Sequence, residues 1–383
     1  MLEAAFFILL FVGAYPYVVY PLVVRLAGSL CARPVRHDEN FVPKVTIITA
    51  AYNEAAHIEA SVLNKLAQDY PSDQLEMIVV SDESSDGTDE IVERIARSDP
   101  RVRLLRQVPR QGKTSALNLA VPLASGDIIV FADANSIYKP DTVRQLVKNF
   151  ADSSVGYVTG KMVYVNPDGS LVGDGCSAFM RYENALRSAE TKLGSIVGVD
   201  GGVDAVRRSL YEPMRADQLP DFVLPLRVVA RGYRVVYEPE ALLTEETLTT
   251  QSSEFRMRVR VALRALWALR DNKSLLNPLR HPLFAWQLWS HKLLRYLSFM
   301  PLLLAVVLNW WLVARGTIYV AGVVSQLIFA ALCVLELSGV NRAGRFALSR
   351  YCYYFALLNV ASAVAFLRFV RGEKQVLWQP RVG

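Results

Sequence analysis

Apolar positions along the chain fall into two kinds of run. Residues 4–26, 293–313, 318–337 and 351–369 are long stretches almost free of charge, each near the length a helix needs to cross a bilayer. Between Val45 and Val236 the apolar runs are short and alternate with helical stretches. Residues 45–49 predict a first strand and 55–68 a helix. Residues 76–80 predict a second strand, followed by a helix over 88–98 with Thr88 as its N-cap. Residues 102–105 form a short third strand, Gly112-Lys113 opens a helix through Ala120, and 128–132 is a fourth strand. Such alternation predicts an α/β fold: βαβ units in a Rossmann-like, mostly parallel, doubly wound sheet, with ligands at the carboxyl ends of its strands. Beyond Gly160 the pattern is less regular. Residues 170–193 read as a long mixed helix carrying Phe179, Tyr182, Glu183 and Arg187, where core, interface and substrate roles stay open. Residues 198–205 read as a glycine-rich loop built for close backbone approach.

The long runs at the ends set the surroundings. The first has no basic region before it and no small-residue cleavage site, so a removed signal peptide is not expected. Only Glu3 precedes it, while Arg25, Arg33, Arg36 and Lys44 follow, which places the next segment in the cytosol. Tyr15, Tyr17 and Tyr20, around Pro16 and Pro21, suit helix–helix packing. A well-capped helix opens at Ser252. Its Phe255, Val259, Leu263, Leu266 and Leu269 share one face, and Arg256, Arg260 and Arg264 another. This is a basic amphipathic helix on the membrane surface, or a core helix with an arginine edge. Residues 278–289 look similarly interfacial. Three closing spans would leave the tail outside, yet Arg368, Arg371, Lys374 and Arg381 favour the cytosol. Either a further stretch crosses, or one of the three is re-entrant. The expected division is an N-terminal transmembrane helix (1–28), a cytosolic domain (37–250), amphipathic interface helices (251–292), C-terminal transmembrane helices (293–371) and a tail (372–383).

Composition agrees with that division. Of 383 residues, 52% are apolar and 20% charged, which fits one chain only if charge gathers in the middle. A net charge of +6, with arginines flanking the apolar ends, suits anionic lipid and not nucleic acid. The four cysteines have no C-x-x-C spacing, which argues against a disulfide framework or a zinc site and for a reducing compartment.

The polar clusters at the strand ends carry the candidate chemistry. The fourth strand ends in Asp133-Ala134-Asn135, whose oxygens suit a hard cation, Mg²⁺ or Mn²⁺, that could hold a diphosphate; an Asx turn is the plain alternative. The first strand runs into Ala51-Tyr52-Asn53-Glu54. The second ends at Asp82 and Asp86-Gly87, where a carboxylate meets a base or ribose, or simply makes a turn and helix cap. Lys113 stands at a helix start without the first glycine of a P-loop, and there it can meet a phosphate. Pro220 sets Asp221 at another helix start, as charge partner of that terminus or as a poised base.

Together these residues resemble family 2 inverting glycosyltransferases of the GT-A fold, in the membrane-integrated branch that includes hyaluronan, chitin and cellulose synthases. The resemblance implies that Ala51, Tyr52, Glu54 and Asp82 bracket the nucleotide base. Lys113, in Gly112-Lys113-x-x-Ala116-Leu117-Asn118, would lie beside the nucleotide. Asp133-x-Asn135 would match the D-x-D that binds metal and diphosphate, Gly201-Gly202 the loop near the acceptor, and Asp221 the general base. Asn135 replaces the second acid of D-x-D, Pro220 replaces the acid before the base, and of Q-x-x-R-W only Arg260 survives. The implied reaction moves a sugar from a nucleotide-sugar, with a UDP-sugar the expected donor, to a hydroxyl of a lipid-linked or polysaccharide acceptor. It would take place at the cytosolic face of a bacterial inner membrane, with Lys113 and Arg260 neutralising the leaving diphosphate. Processive synthesis with export, and a partner subunit that binds sugar nucleotides without turning them over, are the alternatives. The residues leave oligomeric state open. They speak against a nicotinamide-dependent enzyme, because Thr49-Ala50-Ala51-Tyr52-Asn53-Glu54 stands where a G-x-G-x-x-G turn would be.

Overall fold

The computed structural model describes residues 1–165, 175–246, 251–338 and 347–375. The chain divides into a sheet unit (Ala27–Val172, Asn184–Leu248 and Gln375–Gly383) and a helical unit (Met1–Leu26, Gly173–Glu183 and Thr249–Lys374).

In chain order the elements begin with α1 (Leu2–Ala14) and α2 (Val19–Leu30). There follow β1 (Val45–Ala51), α3 (Ile58–Leu66), β2 (Leu75–Ser81), α4 (Thr88–Ser98), β3 (Val102–Arg106), α5 (Lys113–Ala120) and β4 (Ile128–Asp133). Next are β5 (Ile137–Tyr138), α6 (Thr142–Val147), β6 (Val155–Val165), α7 (Gly175–Leu193), β7 (Val203–Arg207), α8 (Pro220–Ala230) and β8 (Arg234–Glu246). The last are α9 (Gln251–Asp271), α10 (Pro282–Leu288), α11 (Leu294–Leu297), α12 (Phe299–Leu312), α13 (Thr317–Leu337) and α14 (Ala347–Val370).

The eight strands form one sheet in the order β3-β2-β1-β4-β7-β6-β8-β5. β3, β2, β1 and β4 are mutually parallel. Val45, Ile47, Ile48, Ile78, Val79, Ile129 and Val130 are wholly or almost wholly buried, the mark of strands covered on both faces. The other half is mixed: β7 is antiparallel to β4 and β6, β6 is parallel to β8, and β5 is antiparallel to β8. The glycine-rich loop expected over 198–205 therefore ends early, because Val203–Arg207 is a strand in the middle of the sheet. Its alternation was disguised by a carboxylate, Asp204, paired in register with Phe131 of β4. The N-cap of α4 is Gly87 (φ +96°), and not Thr88. Asp86 Oδ1 accepts from the Thr88 N–H (3.1 Å) and its hydroxyl (2.5 Å), so the aspartate closes that turn. Residues 170–174 of the expected long helix lie outside the described residues.

In the helical unit, the single helix expected over 4–26 is replaced by two, bent 55° apart at the break that holds Pro16 and Tyr17. The tyrosines pack within this unit: Trp286 Nε1 donates to Tyr15 OH (2.9 Å), Tyr15 OH bonds Ser290 Oγ (3.1 Å) and Tyr17 OH bonds Ser298 Oγ (2.9 Å). α13 and α14 are each long and apolar enough to span a bilayer. Two bent pairs, α1 with α2 and 282–297 with 299–315, raise the candidates to four if each pair is one span. Val259, Ala262 and Leu263 of α9 bury themselves against Ala361 and Ala365 of α14. α9 thus packs one apolar face against α14 and carries arginines on another.

Candidate functional site

Two neighbouring loops form one wall of the site. Asn53 N–H donates to Ser84 Oγ (3.1 Å), Glu54 N–H to Thr88 Oγ1 (2.9 Å) and Ala55 N–H to Asp86 Oδ2 (2.9 Å), while Asn53 Oδ1 accepts from Ser85 N–H (2.9 Å). The segment after β1 is thereby stapled to the loop after β2. Asp82, 3% exposed, holds the next loop. It accepts from Gln107 Nε2 (2.5 Å), Gln111 N–H (2.9 Å) and Gly112 N–H (2.9 Å). That loop brings the Arg110 guanidinium 3.5 Å over the Tyr52 ring centre. Ala51, Tyr52, Glu54, Asp82 and Lys113 are thus joined through one network, although the Asp82 oxygens already serve the loop.

α5 begins directly after that loop. Lys113, its first residue, puts Nζ 2.5 Å from Asp133 Oδ1 at the end of β4. Burial opposes a charge there, but Asp133, Asp221 and Asp204 outweigh it and raise the lysine above its ordinary pKa. Farther along α5, the Thr114 hydroxyl donates to Gln218 O (2.9 Å), and Asn118 Oδ1 accepts from Met214 N–H (3.0 Å). These bonds fix the segment that leads into α8. There Leu219 is the N-cap, Pro220 fills the first helical position and Asp221 lies in the first turn.

The Gly201-Gly202 turn ties the two acids together. Both glycines are left-handed (φ +76° and +72°). A Cβ on Gly201 would stand 2.7 Å from Asp221 Oδ2, and one on Gly202 would stand 2.8 Å from Asp133 Oδ2. Side chains are excluded here because a carboxylate presses on each α-carbon. Tyr138 OH donates to Gly202 O (2.7 Å), and the buried Arg187–Asp200 pair (2.6 Å) anchors the preceding residues.

The donors at the end of β4 fit a cation of limited kind. Asn135 Nδ2 donates to Glu245 Oε1 (3.3 Å), which brings a buried carboxylate from β8 to the residue that stands in place of an acid. Among the described residues no three His, Cys, Asp or Glu side chains are grouped to hold a metal unaided. Oxygen donors in this number suit a cation shared with a diphosphate, the common Mg²⁺ arrangement, and do not make a closed cage.

Three contributors escaped the sequence reading. Lys65 on α3 is fully buried and donates to the carbonyl and hydroxyl of Ser136 and to Ser61 Oγ, tying down the turn after Asp133. Burial lowers it to about 7. Its place at an inward position of an amphipathic helix was the available signal. Glu245 had none. Asp204 is 1% exposed and is bonded by Thr159 and Tyr157. Burial pushes it up to about 7, and repulsion from Asp221 and Asp200 adds to that. Arg260 lies on α9, in the helical unit.

Comparison with known proteins bears on this arrangement. Residues 46–212 match the model of Glycosyl transferase family 2, a range that stops short of Asp221. The chain is 27% identical over 312 residues to a poly-beta-1,6-N-acetyl-D-glucosamine synthase of Staphylococcus aureus (strain COL), which covers 74% of each. It is 29% identical over 240 residues to the probable glycosyltransferase YdaM of Bacillus subtilis (strain 168), 59% of this chain and 56% of that one. Among solved structures it resembles the mannosyltransferase PcManGT from Pyrobaculum calidifontis in complex with GDP-Man and Mn²⁺. The TM-score is 0.74 at 25% identity, over 97% of this chain and 100% of the other. The strand-end loops up to β7 accordingly lie in a stretch similar to Glycosyl transferase family 2, and the α/β sheet has the GT-A fold.

Proposed function

We propose that the chain transfers a sugar, with inversion, from a nucleoside diphosphate sugar to a hydroxyl of a lipid-linked or polysaccharide acceptor. One observation carries the reading: Lys113, Asp133 and Asp221 meet around a side-chain-free turn at one end of the sheet. In this reading Tyr52 and the loops after β1 and β2 receive the base, and Lys113 faces the diphosphate. Asp133 and the Asn135 carbonyl would hold Mg²⁺ or Mn²⁺ together with the diphosphate; when bound, the cation offsets charge developing on the leaving group. Asp221 takes the proton of the acceptor hydroxyl as its oxygen bonds to the anomeric carbon and the bond to the diphosphate breaks. The nucleoside diphosphate leaves, and the carbon is inverted by this single displacement.

α13 and α14 support a membrane setting, and the basic residues after the first apolar run support a cytosolic face of the inner membrane. Nucleotide release from UDP-, GDP- and dTDP-sugars, measured with and without Mn²⁺, tests the reading; no release from any of them would end it. UDP is the first expectation, and the likeness to a protein complexed with GDP-Man makes GDP-mannose the second donor to try. The likeness to a polymer synthase favours one variant, processive extension. A ladder of long product on a gel would select it over single transfer.

A further inference from the structure

A small cavity lies between Lys113 and Asp221, lined also by Phe131, Tyr157, Gly201 and Asp204. Its volume is about 10 Å³, room for one hydroxyl or one water. Asp204 reaches this cavity from β7, 1% exposed. Tyr157 and Thr159 hydrogen-bond its carboxylate, yet Oδ1 has no hydrogen-bond partner among the described residues. A buried carboxyl oxygen without a hydrogen-bond partner is costly, so its persistence wants a partner. None of the roles assigned above uses it, and it belongs to a residue that lines a one-hydroxyl cavity.

We propose that Asp204 is a specificity residue whose Oδ1 binds a ring hydroxyl of the sugar being transferred. The geometry selects the donor sugar. In the proposed reaction that sugar lies between the diphosphate, at Lys113 and Asp133, and the base, Asp221. The cavity opens between those same groups. Tyr157 and Thr159 hold the carboxyl group, and Asp204 and Tyr157 both line the cavity. A site built around a hydrogen bond rejects an analogue without the matching hydroxyl far more strongly than an apolar pocket rejects an added one. Asp204 would therefore set which sugars are accepted, while the base-binding loops set which nucleotide is.

This inference rests on the glycosyltransferase reading, and the test separates the two. The full-length protein in detergent, as wild type, Asp204→Asn and Asp204→Ala, is titrated calorimetrically with UDP-N-acetylglucosamine, GDP-mannose and dTDP-glucose, and with UDP, GDP and dTDP alone. In Asp204→Asn the shape is kept. Tyr157 and Thr159 favour the amide oxygen facing them, which turns the NH₂ into the cavity and replaces an acceptor by a donor. The expected result is that both variants bind the preferred nucleotide-sugar at least tenfold more weakly, with affinity for the free nucleotide within twofold of wild type. Nucleotide-sugar affinity within twofold of wild type in both variants overturns the role of Asp204. So does an equal loss for sugar and free nucleotide in Asp204→Asn, because the effect is then not on the sugar. A wild type that binds none of these ligands removes the glycosyltransferase reading itself, and this inference with it.

Discussion

The two halves of the sheet do different work. The parallel half, β3-β2-β1-β4, ends in loops that are bonded mainly to one another, by Asn53, Asp82 and Asp86. The mixed half, β7-β6-β8-β5, buries carboxyl side chains within the sheet: Asp204 on β7 and Glu245 on β8. The first half resembles a rigid receptacle, its strand-end loops hydrogen-bonded to one another before any ligand arrives. In the second, Asp204 keeps one carboxylate oxygen without a hydrogen-bond partner among the described residues. Binding of the nucleotide and selection of the sugar would then be separable properties, seated on strands of opposite character.

The sharpest break of that separation is Asp221→Asn. Turnover should fall about 10²–10⁴-fold with the affinity for free nucleotide within twofold. Unaltered turnover would reject Asp221 as base, and a parallel loss of nucleotide affinity would merge the two halves. Next is Asp133→Ala at the junction of the halves. The gain in nucleotide affinity on adding Mn²⁺, read by titration against an EDTA control, should disappear; wild-type binding that is equally tight in EDTA would contradict the cation site. Asp82→Ala acts on the receptacle alone. Three donors, two of them buried, lose their acceptor, which should cost about 1–3 kcal/mol, seen as a lower unfolding midpoint, together with weaker nucleotide binding. An unchanged midpoint would mean that the 107–112 loop does not depend on it.

The smallest effect concerns pH. Burial keeps Asp204 protonated to about 7, above the ordinary carboxylate range near 4. Between those values the folded chain binds more protons than the unfolded one, so this group's contribution to stability falls as pH rises through the window. Asp204→Asn should flatten that part of the dependence, measured as the difference in unfolding midpoint between pH 5 and pH 7.5. An identical difference in both proteins would place the proton elsewhere.

The same division governs what could be read from residues alone. β1 to β4 were legible because strands buried on both faces are continuous apolar runs that stop at polar turns. The positions of Asp82, Lys113 and Asp133 at those ends followed from topology. β7 was not, since Asp204 interrupts its apolar pattern and the glycines before it suggested a loop. Glu245 was hidden for a related reason, its approach to Asn135 depending on a register between β5 and β8 that no local pattern records. The break at Pro16 was passed over because hydropathy reports length and not straightness.

The turn at Gly201-Gly202 has a consequence for redesign. With bare backbone as the spacer, the gap between Asp133 and Asp221, proposed above as cation ligand and base, is set by peptide geometry and has no rotamer to adjust. Attempts to admit bulkier sugars should leave this dipeptide alone and carve space from Phe131 or Leu117. A methyl group added at either glycine would push apart the one distance that the surrounding side chains have no means to restore.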